Sequence, residues 1–341
     1  MEVPRAKLVV ESKQIDAGSL RLTGETGSSS TKAFPILTSW WAKGNVDVTL
    51  LIDYVYYERS FVTGLSCRVR FEHGTLTIDR ISGDTSEGHL GGRFVMNMPE
   101  QGPSSMRSTF HASGIQVERL SLLMEERQSI SGWLTVAGKI QAGFQQGHLL
   151  RSSVESRRPI SILIEDGRIF KAPVISKLLT VLNLPALLKG KVDLTQGGMP
   201  VDRLKVVLAV NKGIIMIDEF LMDSPILKIS GTGRYDFIDN QFDAVVVASP
   251  LGQYSELLKS VPLFGKLFAG ERQGFDTAIF EVKGPAEDPD LRYLSAESLM
   301  TGAKGTAKLA LDLLVNAITL PIEAYSMTKD LFVDDGDGEE E

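Results

Sequence analysis

Apolar and polar residues alternate with a period of two through most of the chain, and this constrains the fold more than any other feature. Val46, Val48, Leu50 and Ile52 alternate with Asp47, Thr49, Leu51 and Asp53, and Leu65, Cys67, Val69 and Phe71 alternate with Ser66, Arg68 and Arg70. Successive strand side chains point to opposite faces, so each run predicts a strand with one buried face. Glu72-His73-Gly74 then leads into Leu76 and Ile78 alternating with Thr75 and Thr77. Glycine's tolerance of positive φ makes that tripeptide a tight hairpin turn. The predicted unit is an antiparallel hairpin with one apolar side.

The unit returns at an offset of 139, where Leu204, Val206, Leu208 and Val210 lead through Asn211-Lys212-Gly213 to Ile215 and Ile217. Leu65, Gly74, Ile78, Asp79, Asp84 and Gly92 meet Leu204, Gly213, Ile217, Asp218, Asp223 and Gly231 without a gap. A shorter echo stands at Gly18 to Leu22, and Ile160, Ile162 and Ile164 predict another hairpin turning through Asp166-Gly167. The copies differ on their outer faces. Ser66, Arg68, Arg70, Thr75 and Thr77 of the first are replaced by Lys205, Val207, Ala209, Ile214 and Met216 in the second. A sheet apolar on both faces needs a cover. Two helical stretches are candidates: leucine-rich Val174 to Leu188, and an amphipathic helix carrying Leu251, Tyr254, Leu258, Val261, Phe264 and Phe268.

Signals of chemistry are few. A net charge of -7, from 36 basic and 43 acidic residues, argues against a nucleic-acid partner bound by neutralising phosphates. Cys67 is the one cysteine and has no partner for a disulfide or a thiolate metal site. His73, His89, His111 and His148 show no metal-ligand spacing, and neither a nucleophile elbow nor a phosphate-binding loop is present. Asp79 with Asp84, and Asp218 with Glu219 and Asp223, recur at strand ends and read as turn caps instead of an acid–base pair. Trp40-Trp41 reads as ordinary packing. No catalytic residue, metal or cofactor is expected.

No basic and apolar leader opens the chain, and the apolar stretch Leu313 to Ile322 has about half of the roughly 20 residues that span a bilayer. What remains is geometry. A continuous apolar surface built of hairpins is either covered by protein, as an ordinary sandwich core, or occupied by something apolar such as acyl chains.

Trp41-Ala42-Lys43-Gly44-Asn45-Val46-Asp47-Val48, Gly64-Leu65-Ser66-Cys67, Gly74-Thr75-Leu76-Thr77-Ile78 and Gly91-Gly92-Arg93-Phe94 resemble the C-terminal region of AsmA-like envelope proteins. So do Lys191-Val192-Asp193-Leu194, Asp223 to Gly231, Val261-Pro262-Leu263-Phe264-Gly265 and Val282 to Pro289. The resemblance covers roughly residues 40 to 292, and its motifs are structural instead of catalytic. It implies a repeating β-groove that lets phospholipid move between inner and outer membranes, in the manner of the AsmA, YhdP and TamB superfamily. It also implies a periplasmic protein whose full-length parent carries an N-terminal inner-membrane anchor. The sequence starts without one, and a C-terminal portion, a split gene and a shortened form of the parent are the open expectations.

The expected fold is mainly β with packed helices: an elongated, twisted antiparallel sheet forming a half-pipe groove of repeated hairpins, with helices near 174–189 and 250–270. Residues 1–31 are expected to form a partial β repeat and linker, 32–150 the groove repeats, 151–292 the AsmA-like C-terminal β region, 293–332 a helical segment and 333–341 an acidic disordered tail. Residues 145–158, with Arg151, Arg157 and Arg158, read as the boundary between halves. The expected groove lining is Val46, Val48, Leu50, Ile52, Leu65, Cys67, Val69, Phe71, Leu76 and Ile78, continued by Leu204, Val206, Leu208, Val210, Ile215 and Ile217 if the helices leave it open. Expected partners are phospholipid acyl chains, and a membrane surface or envelope protein at the C-terminal end. The alternative is a scaffold for outer-membrane assembly with a filled core and no lipid.

Overall fold

The computed structural model describes residues 5–16, 45–57, 60–85, 87–118, 130–170, 173–181, 198–250, 265–267 and 275–294, with residue 312. The first eight strands are β1 (Arg5–Asp16), β2 (Asn45–Tyr57), β3 (Ser60–Glu72), β4 (Thr75–Asp84), β5 (His89–Asn97), β6 (Ser104–Gln116), β7 (Ile130–Gln145) and β8 (His148–Ile169). After helix α1 (Pro173–Val181) come β9 (Met199–Asn211), β10 (Ile214–Asp223), β11 (Leu227–Asp236), β12 (Gln241–Pro250), β13 (Gly265–Leu267), β14 (Phe275–Pro285) and β15 (Asp290–Tyr293). All belong to one sheet in which each strand from β1 to β12 pairs with the next, and β12 pairs with β14. β13 and β15 also pair with β14. The sheet is long, twisted and open.

The predicted repeat is physical. β3 and β9, and β4 and β10, end at positions separated by the same offset of 139. His73-Gly74 has φ values of 47° and 76°, and Lys212-Gly213 has 50° and 84°. Both dipeptides lie between paired strands, which makes them type I′ turns whose twist matches that of the strands. The register slips between Ile78 and Ile81 in one copy and between Ile217 and Phe220 in the other. After each slip the third strand meets it at a glycine: Ile81 faces Gly92, and Phe220 faces Gly231. The bulge is therefore part of the repeating unit, along with the turn. Even the closing contact recurs, as a hydrogen bond between Asp84 and His89 at 2.8 Å and an ion pair of Asp223 with Lys228 at 3.0 Å.

Three expectations need correction. Asp166-Gly167 is not a turn, because β8 runs through it to Ile169. Asp166 (φ 50°) and Gly167 together oppose Gly132, since Glu165 faces Trp133 and Arg168 faces Ser131. That is a bulge, which uses the same left-handed residue and glycine as a turn. Residues 145–158 hold the Gln146-Gly147 turn and the first part of β8, and the sheet continues across them. The sheet is not wholly antiparallel, because β1 runs parallel to β2, with Leu8 beside Val48 and Val10 beside Leu50. A parallel neighbour needs a crossover instead of a hairpin; the connecting residues 17–44 lie outside the described residues.

The third correction concerns the packed helices. Among the described residues, α1 is the one helix longer than a single turn, and it covers part of the predicted 174–189. Residues 265–267 of the predicted 250–270 helix are strand β13. Leu251, Tyr254, Leu258, Val261, Phe264 and Phe268 lie outside the described residues, as do Trp40, Trp41, the acidic tail and nearly all of 293–332. α1 sets Val174, Ile175 and Leu178 into the main core with Met222, Leu227, Ile229 and Phe280. On the opposite face of the same strands Ser230, Val247, Ser249 and Ile279 are buried too, so this end of the sheet is covered on both sides.

Candidate functional site: one apolar face across the sheet

Cross-strand register decides which side chains share a face. Val46, Val48, Leu50 and Ile52 stand directly opposite Phe71, Val69, Cys67 and Leu65. Val69 and Phe71 in turn face Ile78 and Leu76. All ten predicted residues of the first copy therefore lie on one face. In the second copy Leu208 faces Ile217 and Val210 faces Ile215, while Leu204 and Val206 face Met222 and Phe220. All six of its predicted residues share a face as well.

Register also joins the two sets. Ile78 faces Phe94, Phe94 faces Ser108, Ser108 faces Ile140, and the face continues through Val136 opposite Ile162 and Ile162 opposite Val206. Beyond β10 it runs from Met222 to Ile229, Ala248 and Ala278. Sequence reasoning missed the middle of this face. Strand β5, His-Leu-Gly-Gly-Arg-Phe-Val-Met-Asn, and strand β6, with Ser108 and Ala112 at inward positions, dilute the alternation with small residues. Phe94, Met96, Met106 and Phe110 are nevertheless a readable signal there, spaced by two and by four.

Burial is uneven along this face. At the α1 end Met222, Leu227, Ala248, Ala278 and Phe280 are 0% exposed. Across β2 to β5 most inward residues are half-buried, among them Val46, Val48, Leu50, Leu65, Cys67, Val69, Leu76 and Ile78, with Ile52, Phe71 and Met96 buried. At the β1 edge Leu8 and Val10 are exposed. Val206, Leu208, Ile215 and Ile217 are half-buried like the residues of β2 to β5, and full burial comes at Met222 and beyond β10.

The carboxylates belong to the other face. Asp47 accepts a two-pronged hydrogen bond from Arg68 at 2.8 and 2.7 Å, Asp79 pairs with Arg70, and Glu219 pairs with Lys205 at 3.0 Å. These are cross-strand ion pairs that tie outward faces together; of the carboxylates expected to cap turns, Asp79 and Glu219 are used in this way, while Asp84 and Asp223 reach across the connection that follows their strands to His89 and Lys228. His89, held by Asp84, stacks on His111 with ring centroids 5.8 Å apart. Burial, then the neighbouring His89, lowers the basicity of His111. Among the described residues no three His, Cys, Asp or Glu side chains are grouped to hold a metal ion, and no helix is long and apolar enough to cross a membrane.

Cys67 sits on the apolar face opposite Leu50. Burial, and secondarily the Asp79 carboxylate, push its thiol above the ordinary value. The thiolate is the reactive form, so iodoacetamide at pH 8 should label Cys67 more slowly than a free cysteine. Asp79→Asn removes a charge that opposes thiolate formation and should speed labelling, as followed by intact-mass spectrometry. Labelling at the free-cysteine rate would show that the site is neither dry nor covered.

No family model, curated protein or solved structure matches the chain.

Proposed function

We propose that the chain is a non-enzymatic, AsmA-like envelope protein whose apolar sheet face is a groove for phospholipid acyl chains moving between inner and outer membrane. One observation carries this reading: a single apolar face continues in register from β2 to β12 of an open sheet, and it stays half-buried over β2 to β5. An acyl chain on such a face gains about 25 cal/mol per Å² of apolar surface removed from water, and its headgroup remains solvated at the rim. No step makes or breaks a bond. The resemblance of the motifs between residues 40 and 292 supports the AsmA-like assignment, a periplasmic location and a membrane-anchored parent. The same face supports a mainly one-dimensional path, because strand after strand adds one rung to it.

The sealed end favours a second reading for that part of the molecule. Met222, Leu227, Ile229 and Phe280 form a filled core under α1, as a scaffold for envelope assembly would require. Native mass spectrometry of the protein purified in mild detergent separates the two. The groove reading expects adducts with phospholipid masses, removable by stronger detergent. A protein free of lipid under these conditions favours the scaffold.

A further inference from the structure

The two edges of the sheet differ. β14 is flanked on its far side by β13, at Phe275 to Thr277, and by β15, at Phe280 to Lys283. β1 pairs with β2 alone among the described residues, and no described strand takes up the hydrogen-bonding groups of its other side. Native sheets blunt such an edge with a short strand, a bulge, a proline or charge. β1 has only the last: it runs from Arg5 to Asp16 without proline, and its register with β2 does not slip. Leu8, Val9 and Val10 are 55%, 65% and 43% exposed, so both faces of the strand are open.

Its charges are ordered to attract a copy of the same strand. Alternation places Val9, Glu11, Lys13 and Ile15 on the face opposite Leu8 and Val10. From either end this row reads apolar, charged, oppositely charged, apolar. Laid antiparallel against itself about Ser12, it sets Val9 opposite Ile15 and Glu11 opposite Lys13, each twice. Neither Glu11 nor Lys13 forms an ion pair among the described residues, although Lys13 is level with Asp53 of β2. Elsewhere on this face carboxylates are matched across strands, as Asp47 is with Arg68 and Glu219 with Lys205. A slip of two residues either way opposes Glu11 to Glu11 or Lys13 to Lys13, and parallel in-register pairing opposes both, which is destabilising. The row thus specifies partner, direction and register together.

We propose that two copies of the chain associate through this edge, β1 of each pairing antiparallel with β1 of the other about a two-fold axis that passes through Ser12 perpendicular to the sheet. Each copy supplies the hydrogen bonds that the other's edge lacks, from Leu8 to Asp16. Such an axis keeps the apolar faces of both sheets on one side. On that face Ser12 meets Ser12 and Val10 meets Gln14, so the apolar track of each copy ends at the seam. The lipid-track residues of β2 to β10 take no part, and the dimer stands or falls apart from the groove.

Size-exclusion chromatography with light scattering on the full chain should show a dimer that dissociates on dilution. Glu11→Lys turns two attractive cross-strand pairs into two repulsive ones and should weaken it by about thirtyfold. Adding Lys13→Glu exchanges the charges, restores both pairs and should recover the parent's dissociation constant. Circular dichroism checks that each variant keeps its sheet. In a Cys67→Ser background, Ser12→Cys should form a disulfide between copies under mild oxidation, because directly opposed strand residues lie within disulfide reach. Lys7→Cys, far from its own copy across the axis, should not. A dimer that Glu11→Lys leaves intact overturns the proposal. So does a monomer at every concentration, and if its β1 amides resist hydrogen exchange, a segment of the same chain holds the edge. Native mass spectra of the Glu11→Lys variant should still carry phospholipid adducts, which reports on the groove separately.

Discussion

Phe280→Ala should lower the stability of the delipidated protein by about 3–5 kcal/mol, the range for deleting a fully buried aromatic ring. Phe280 is 0% exposed, faces Val246 on β12 and Tyr293 on β15, and meets the Tyr293 ring edge-on at a centroid distance of 6.0 Å. The core it belongs to also holds Leu178 of α1, and Ala278 and Val282 along its own strand. Truncation leaves a cavity that close-packed neighbours fill poorly. Phe94→Ala is the informative contrast. Phe94 lies on the same face, between Ile78 and Ser108, but is only half-buried. Its ring gives up less transfer free energy and leaves an opening instead of a void, so its cost should be well below that of Phe280. Urea titrations followed by far-UV circular dichroism measure both. Equal losses would mean that the face is sealed along its whole length, and the groove would have no entrance.

These two phenylalanines also show what the sequence reveals and what it hides. Both stand in alternating runs, and the offset of 139 aligns Ile78 with Ile217 and Gly92 with Gly231 from the residues alone. Period two identifies a face, but it carries no information about what lies over it. Val69 and Ile229 obey the same pattern, yet one is half-buried and the other 1% exposed. Local chemistry misleads at Asp166-Gly167, because left-handed backbone serves bulges and turns alike. The direction of β1 is illegible for a different reason: Lys7 to Val10 reads as a strand whichever way its partner runs. The leucine-rich segment from Val174 does form a helix, and among the described residues it is the nine-residue α1, which covers one end of the sheet.

Ile78→Asp should strip the protein of copurifying phospholipid while leaving the sheet folded. Ile78 faces Val69 and Phe94, both half-buried, so a carboxylate there keeps access to water and needs no ion-pair partner. An acyl chain crossing this rung loses contact with two or three methylenes, worth about 0.8 kcal/mol each, and lipid occupancy should fall by about thirtyfold. Ile229→Asp, by contrast, puts a charge among Met222, Ala248 and Phe280 with nothing to solvate it, and the chain should fail to fold. The repeat supplies the deciding variant. Ile217 occupies the position of Ile78 in the second copy, faces Leu208 and Gly233, and is half-buried in the same way. If the lipid track extends past β10, Ile217→Asp reduces bound phospholipid as strongly as Ile78→Asp, read as adduct intensity in native mass spectra. If it leaves lipid untouched, the track ends before the sealed core and cargo must leave the face sideways between β8 and β10. A folded Ile78→Asp protein with its full complement of lipid would remove the groove from the mechanism altogether.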